Sequence, residues 1–291
     1  MSKKHPIVAV TGSSGAGTTT VKRAFEHIFF RDGITPAVIE GDSFHRYDRA
    51  QMREKIAEGM SHFGPEANRF DKIEELFKTY GETGLGQKRY YLHSAEEAAE
   101  HNARLGIDKK PGEFTPWESV PEGTDLLFYE GLHGLAVDGD DDVAQHVDLG
   151  VGVVPIVNLE WIQKIFRDNA ERGYTRGGNR RHHPGVACPT TSTTSRHSSR
   201  APTSTSSAFP PWIHPTPLSP VISQLRSESF VVIRFKDPKK FDTDFRYLLS
   251  MIDGSFMSRR NSIVVPGGKM GFAMEIILQP IIEQMMDSRH V

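Results

Sequence analysis

The chain has 291 residues, with 35 basic and 37 acidic side chains and a formal net charge of -2. This length allows one large domain or two small ones, and we favour one. The balanced charge gives no bulk attraction to nucleic acid or to an anionic membrane, so any anion site must be local. The N-terminal apolar run is too short for a signal peptide, and no apolar stretch of about 18 residues follows, so we predict a cytoplasmic protein.

Strand and helix patterns alternate along most of the chain. A helix after the first strand is predicted to stop at Gly33, and residues 48–80 have a helical periodicity broken at "FGPEAN". A strong helix pattern follows at 159–175. After 235 come the stretch "FDTDFRYLLSMI", a second strand, "NSIVVPGG", and a closing amphipathic helix. The predicted strands lie at residues 6–11, 35–42, 125–134, 147–158 and 229–235. Such alternation predicts a largely parallel sheet covered on both faces.

The stretch "VTGSSGAGTTTVKRAFE" between the first strand and its helix resembles a phosphate-binding loop. Its glycines let the backbone wrap an anion, and the helix offers its positive N-terminal end. Thr18 stands where the G-x-x-x-x-G-K-[ST] pattern has lysine, and Thr19 could bind the Mg²⁺ that accompanies ATP. A glycine-serine turn without a ligand is the alternative. The predicted ATP-binding residues are Gly12, Ser13, Ser14, Gly15, Ala16, Gly17, Thr18 and Thr19.

Two acidic residues end predicted strands. Glu130 is placed to reach a metal ion or its bound water, unless it caps the next turn. Asp42 could accept the proton of a substrate hydroxyl, unless it is a helix N-cap. His45, Arg46 and Arg49 follow Asp42 and could hold a second anion, although each could instead be a solvated surface group.

The predicted helix at 159–175 offers a replacement for the absent loop lysine. Lys164 and Arg167 belong to its cationic face, and phosphoryl transfer needs positive charge on the β- and γ-phosphate oxygens. We predict that Lys164 supplies this charge. The alternative is an exposed helix on which Lys164 pairs with Asp168.

Residues 176–228 differ from the rest of the chain. They contain eight of the 18 prolines, long Ser/Thr runs and one acidic residue, Glu228. This composition is typical of a disordered linker, yet so long a loop is uncommon inside a compact domain. The chain's single cysteine, Cys188, lies here and excludes an intramolecular disulfide. The spacing of His182, His183 and Cys188 is weak for zinc.

Several stretches resemble one known family: "VTGSSGAGTTTV", "IEGDSFHRYDR", "YGETGLGQKRYYLH", "LLFYEGLHG", "VPIVNLEWIQKIFRDNAERGYT", "VVIRF" and "MSRRNSIVVPGGK". They are similar to the bacterial (proteobacterial) type of phosphoribulokinase, which makes ribulose 1,5-bisphosphate from ATP and ribulose 5-phosphate in carbon fixation. The resemblance covers nearly all of residues 5–175 and 229–270. It implies an α/β, P-loop NTPase-like, three-layer α/β/α fold with a mostly parallel mixed sheet. The family also has threonine or serine in place of the loop lysine.

The resemblance implies a role for each candidate residue. Asp42 would be the catalytic base, Glu130 the acid near the metal, and Lys164 a cation on the transferring phosphate. Arg167 would serve ATP, while His45, Arg49 and Arg172 would hold the sugar phosphate. Bacterial members are homo-oligomers that respond to NADH and AMP, and Arg31, Arg234 and Arg259 look like the effector-site arginines. Thioredoxin control is not expected, because the chain has no cysteine pair.

Residues 176–228 depart from the family, which has there a stretch resembling T-D-I-N-F-Q-R-V-P at a similar total length. The residues "APTSTSSAFPPW" can be encoded by codons that give T-D-I-N-F-Q-R-V-P-T-V when read two nucleotides later. We therefore interpret 176–228 as an out-of-frame translation between correct flanks.

Two alternative functions stay open from the sequence. A uridine-kinase-like enzyme would share the loop and the aspartate after the second strand, but the basic residues after Asp42 favour a phosphorylated acceptor. A non-catalytic nucleotide sensor would explain the absent loop lysine, and an Asp42→Asn change would then leave its behaviour unaltered. We favour the sugar-phosphate kinase.

Overall fold

The computed structural model describes residues 4–12, 17–154, 204–209 and 229–290, with backbone alone at 204–209. Part of the predicted site lies outside the described residues, as does the predicted helix at 159–175. The site residues concerned are Ser13, Ser14, Gly15, Ala16, Lys164, Arg167 and Arg172. The weak zinc pattern of His182, His183 and Cys188 lies outside them as well.

The elements follow the predicted alternation over most of the described chain. The helices are α1 (Thr18–Asp32), α2 (Arg49–Ala57), α3 (Phe70–Thr83), α4 (Ala95–Leu105), α5 (Phe245–Met251) and α6 (Met270–Asp287). The strands are β1 (Ile7–Gly12), β2 (Pro36–Glu40), β3 (Gln87–Lys88), β4 (Glu118–Ser119), β5 (Leu126–Gly131), β6 (Val137–Asp138), β7 (Asp141–Asp142), β8 (Leu149–Val153), β9 (Ser204–Phe209), β10 (Phe230–Phe235), β11 (Phe256–Arg259) and β12 (Ser262–Pro266). Gly33 ends α1 in the left-handed conformation, as predicted.

Eight of these strands form one mixed sheet in the order β11-β12-β10-β9-β8-β1-β5-β2. The pairs from β2 to β9 are parallel. β10 pairs antiparallel with β9 and β12, and β11 pairs antiparallel with β12. The prediction of a mostly parallel mixed sheet is confirmed.

Successive side chains along a strand are buried on opposite faces of the sheet. Val8 and Val10 of β1 belong to a core that includes side chains of α1 and α6. Ile7 and Ala9 belong to a second core, which includes the buried face of α3. This period of two is what a strand covered on both sides requires. Helices therefore cover both faces, which confirms the three-layer arrangement.

The structure differs from the linker interpretation at residues 204–209. These residues form β9, which runs parallel to β8 and antiparallel to β10. The sequence "STSSAF" has no alternating apolar pattern that would predict a strand. Its place in the sheet is therefore set by backbone pairing with its two neighbours.

The sequence analysis also missed α4, β11 and the two-residue strands β3, β4, β6 and β7, and it assigned no element type to the stretch that forms α5. Ser94 begins α4 by accepting a hydrogen bond from the Glu97 amide at 3.2 Å, and Gly106 ends the helix with a φ of 65°. In the part of the chain that the structure describes, no helix is both long and apolar enough to cross a membrane.

Candidate active site

Three neighbouring parallel strands carry the predicted site to one edge of the sheet. In the register, Val10 of β1 and Glu40 of β2 both align with Glu130 of β5. Gly12 ends β1, and Asp42 follows β2 in a short 3₁₀ turn, Gly41–Phe44. Because the carboxyl ends of parallel strands meet at one edge, where α/β sheets form ligand crevices, Gly12, Asp42 and Glu130 lie beside one crevice.

The N-terminus of α1 has the features of an anion site. Its N-cap, Gly17, has a φ of 94°, a conformation that favours glycine. Among the described residues no side chain caps this helix end, and no acidic residue lies in its first turn. The first amides of α1, at Thr18 and Thr19, therefore present positive charge to a ligand. The predicted strand before the glycines and the predicted helix after them are confirmed.

Two imidazoles flank the carboxylate of Asp42. Nε2 of His45 lies 3.5 Å from Oδ1, and Nε2 of His93 lies 3.5 Å from Oδ2. Burial opposes ionisation of Asp42, but the interactions with these histidines outweigh it and hold the pKa of its carboxyl well below its usual range. The side chain is still 46 % accessible, so a substrate can reach it. The ionised form of Asp42 is therefore favoured, and its carboxylate is open to the crevice.

His45 is buried against the loop that precedes α3. Its Nδ1 lies 2.6 Å from Oδ1 of Asn68, and its ring centroid lies 4.8 Å from that of His62. Burial opposes protonation of the ring, but the contacts with Asp42 and Asn68 raise the pKa of His45. The imidazolium form is therefore favoured beside Asp42.

The Arg49 side chain belongs to the wall of the crevice. Its Nε donates to the hydroxyl of Tyr91 at 3.2 Å, and Nη2 donates to the carbonyl of His93 at 3.1 Å. These bonds fix the guanidinium beside the residues that flank Asp42. Arg46, the remaining basic residue of the group that follows Asp42, is exposed.

Arg89 supports the turn that carries Asp42. Its Nε donates to the carbonyl of Ser43 at 2.8 Å, and Nη2 donates to the carbonyl of His45 at 2.7 Å. The guanidinium lies between the rings of Phe114 and Trp117, with its Cζ 3.7 and 4.7 Å from their centroids. Burial and the nearby charge of Arg69 lower the pKa of Arg89 to about 10. This arginine fixes the main chain on both sides of Phe44.

The turn after β2 touches the end of β5 through two glycines. A Cβ atom on Gly131 would lie 2.6 Å from Cα of Gly41, which no side chain could occupy. A Cβ atom on Gly41 would lie 2.5 Å from the hydroxyl oxygen of Tyr129. The segments that carry Asp42 and Glu130 are therefore in backbone contact.

The oxygen atoms around this edge suit Mg²⁺. Burial, with the negative charges of Asp42 and Glu130, raises the pKa of Glu40 even though Lys22 acts in the other direction. Among the described residues, no group of three or more His, Cys, Asp or Glu side chains forms a metal site. Mg²⁺ in nucleotide sites takes one or two protein oxygens and completes its shell with phosphates and water. Glu130 and the Thr19 hydroxyl fit that donor set.

The three arginines that were predicted to bind effectors lie away from this edge. Arg31 is in the last turn of α1, where its Nε pairs with Asp32 at 3.0 Å. Arg234 on β10 and Arg259 on β11 are both register partners of Ser262 on β12, and both are exposed. The described contacts join neither of them to Arg31.

Sequence reasoning missed four residues around Asp42, namely His62, Asn68, Arg89 and His93. His62 precedes "FGPEAN" and Asn68 is its last residue, and this stretch was interpreted as a helix break. Arg89 and His93 lie in "GQKRYYLH", which was used as a resemblance without assigning roles. The density of aromatic, histidine and arginine residues in "GQKRYYLH" was the available signal. Their contacts join distant parts of the chain, so no local pattern could identify the partners.

Comparison with known proteins identifies the family. Residues 7–180 match the family described as "Phosphoribulokinase / Uridine kinase family". The chromosomal phosphoribulokinase of Cupriavidus necator is 50% identical over an alignment that covers 99% of this chain and 98% of that protein. A Xanthobacter flavus phosphoribulokinase is 51% identical and covers 99% of each chain. The solved phosphoribulokinase from Rhodobacter spheroides superposes with a TM-score of 0.79 at 41% identity, over 99% of this chain and 100% of that one. This chain therefore belongs to the phosphoribulokinase and uridine kinase family.

Proposed function

We propose that the protein is a transferase that uses ATP to phosphorylate ribulose 5-phosphate to ribulose 1,5-bisphosphate, a reaction of the Calvin cycle. The observation that carries this proposal is the ionised Asp42, which is flanked by His45 and His93 at the edge where α1 begins. Full-length similarity to phosphoribulokinases supports the same substrate. A carboxylate beside cationic side chains suits an acceptor that has both a hydroxyl and a phosphate.

The acceptor side of the crevice would perform two tasks. Asp42 takes the proton of the primary hydroxyl of the sugar. The hydroxyl oxygen bonds to the γ-phosphorus of ATP, and the bond between the γ-phosphorus and the bridging β-phosphate oxygen breaks, which releases ADP. The low pKa of Asp42 keeps it ionised, although it also makes the carboxylate a weak base before substrate binds. His45, Arg49 and Arg172 hold the sugar phosphate in this proposal.

The donor side would bind ATP along the loop and the start of α1. Gly12, Gly17, Thr18 and the four loop residues between the glycines hold the phosphates with their amides. Glu130 and the Thr19 hydroxyl hold Mg²⁺, which when bound neutralises charge on the β- and γ-phosphate oxygens. Lys164 and Arg167 add positive charge in place of a loop lysine.

ADP release, measured with and without ribulose 5-phosphate, tests the proposal. Protein expressed from the native gene is expected to release ADP only when both substrates and Mg²⁺ are present. Asp42→Asn removes the proton acceptor while nearly conserving size, so we expect its rate to fall by about 10²- to 10⁴-fold with ATP binding retained. Release without dependence on the sugar phosphate, or an unaffected Asp42→Asn variant, would favour a nucleoside acceptor or a nucleotide sensor.

Regulation and assembly extend this proposal. We propose a cytoplasmic homo-oligomer in which Arg31, Arg234 and Arg259 bind the anionic effectors NADH and AMP. Three arginines suit phosphate groups because a guanidinium can form two parallel hydrogen bonds to phosphate oxygens. Replacing each with glutamine should abolish the response to effectors and leave the rate without effectors unchanged, while light scattering gives the oligomer size.

We also propose a single kinase domain over residues 1–291 in which 176–228 is an out-of-frame translation. The strand β9 adds support, because positions 204 and 206 are register partners of Phe235 and Ile233, which are buried. If each residue of the shifted frame takes the number of the codon that supplies two of its bases, isoleucine falls at 204 and phenylalanine at 206. Gene resequencing, with peptide mass spectrometry of the natural protein, tests this. Peptides that contain the Ser/Thr/Pro run would refute it.

A further inference from the structure

The Asn68 side chain is locked into one orientation. The residue is 2% exposed and lies opposite His45 in an isolated β-bridge. Its amide nitrogen donates to the carbonyls of His62 at 3.1 Å and Gly64 at 2.8 Å. A flipped amide would set its oxygen against these two carbonyl oxygens, so the nitrogen must face them.

This orientation determines which nitrogen of His45 carries a proton. The amide oxygen of Asn68 can only accept, and it lies 2.6 Å from Nδ1 of His45. Nδ1 must therefore be protonated. Nε2, the other ring nitrogen, is the one that faces Asp42 at 3.5 Å.

The fixed proton on Nδ1 leaves two states for His45. In the neutral ring, the lone pair of Nε2 would point toward the carboxylate of Asp42, and its electron density would be repelled by the negative carboxylate oxygens. In the imidazolium, an N–H group points there and attracts it. We propose that Asn68 is a positioning residue, which holds His45 as an imidazolium aimed at Asp42 and so orients the catalytic carboxylate.

Other charged and titratable groups act on the same ring. Those that face it or interact with it electrostatically are Asp42, His62, Arg89, Tyr91 and His133. Arg89 opposes protonation of His45, whereas Asp42 favours it. The effect of Asn68 must therefore be measured as a difference between variants that leave these groups in place.

Nitrogen NMR of His45, in protein without substrates, tests the proposal with two variants. Asn68→Leu removes the acceptor, and we expect the His45 titration midpoint to fall by roughly one pH unit. Asn68→Asp keeps an acceptor and adds negative charge, so the midpoint should rise. Both variants lose the amide donors that bind the carbonyls of His62 and Gly64. If Asn68 only held this loop in place, the His45 midpoint would therefore move in the same direction in both variants.

Kinetics provide the second measurement, which rests on the proposed function. If His45 holds the sugar phosphate, Asn68→Leu should raise KM for ribulose 5-phosphate about tenfold or more and leave KM for ATP within about twofold. Asn102→Leu is the matched control, since the Asn102 amide also bridges a loop, through the backbone of Lys109. A His45 midpoint that stays unchanged in both Asn68 variants, or that moves equally in Asn102→Leu, would overturn the proposal. Absence of sugar-dependent ADP release in the unmodified protein would refute the proposed function, with the NMR result intact.

Discussion

The two halves of the sheet differ in how their strands are specified. The strands β2, β5 and β1 are apolar runs whose ends carry Asp42, Glu130 and the phosphate loop. The strand β9 lies in the middle of the same sheet with the sequence "STSSAF", in which Phe209 is the sole large apolar residue. The comparison teaches that the crevice is specified by its own strands, whereas β9 depends on its neighbours. The predictions below test how far the two halves are independent.

The largest effect is expected from repairing β9. Ser204→Ile with Ser206→Phe adds apolar side chains at the register positions of the buried Phe235 and Ile233. Burial of two such side chains should raise the free energy of unfolding by about 3 kcal/mol. Thermal unfolding of protein from a synthetic gene for the 291-residue sequence measures this change.

The control for β9 uses the alternate positions. Thr205→Ile places an apolar side chain at the register position of Arg234, which is exposed. We expect a gain of less than about 1 kcal/mol, because little apolar area would leave water. Equal gains at both sets of positions would contradict the assigned register.

A smaller effect, confined to the crevice, is expected from Arg89→Lys. Lysine keeps the charge but cannot reach the carbonyls of Ser43 and His45 with two fixed nitrogens, so the turn that carries Asp42 loosens. We expect kcat/KM to fall by roughly ten- to a hundredfold, because small displacements of a catalytic group are costly. Steady-state kinetics under the conditions of the ADP assay measure it.

Arg104→Lys is the matched control for Arg89. Arg104 also uses two nitrogens, Nη1 and Nη2, which pair with Glu118 on the surface. An exposed pair of this kind contributes at most about 1 kcal/mol, and kcat/KM should stay unchanged. Equal losses in both lysine variants would show that Arg89 acts through general stability and not through the catalytic turn.

Measured per pH unit, the smallest effect is a pH dependence of stability. Burial, with the nearby charge of His45, lowers the pKa of His133 to about 3, and its Nε2 has no hydrogen-bond partner among the described residues. The unfolded value is about 6.5, so between these values the unfolded chain binds a proton that the folded chain excludes. The stability from this group is complete above about pH 6.5 and is lost as the pH falls toward 3.

We expect this one group to change the free energy of unfolding by up to about 1.4 kcal/mol per pH unit in that window. His133→Phe removes the proton site and keeps a ring beside Phe70, whose centroid lies 4.7 Å from that of His133. Urea unfolding between pH 4 and 7 should therefore show a shallower slope for the variant. Parallel slopes would show that His133 is not buried in the neutral form.

Most of the fold could be predicted because its strands alternate with helices in clear periodic patterns. The strand endings at Glu130 and near Asp42 followed from the apolar runs before them. The strand β9 could not be predicted, since no side-chain pattern in "STSSAF" favours a strand. The strand β11 was missed because it is a short edge strand, and its pairing with β12 is a long-range property that propensity does not encode.

For the site, the charged residues were predictable from the sequence, but the residues that support them were not. Residue types that carry charge at strand ends led to Asp42, Glu130 and His45. Those residues are supported by Arg89 and Asn68. Arg89 binds backbone carbonyls 44 and 46 residues away, and Asn68 binds one ring nitrogen of His45, 23 residues away. Such contacts have no fixed spacing in a sequence, so they emerge only when the chain is folded.

The contact between Gly41 and Gly131 makes the separation of Asp42 from Glu130 a property of the main chain. Changes in the side chains around the crevice can alter charge and affinity, but they leave this spacing as it is. A new acceptor could thus be accommodated by exchanging wall residues while the segments that carry Asp42 and Glu130 keep their spacing. The glycine pair fixes the backbone spacing, and evolution or a protein engineer can vary the side chains around it.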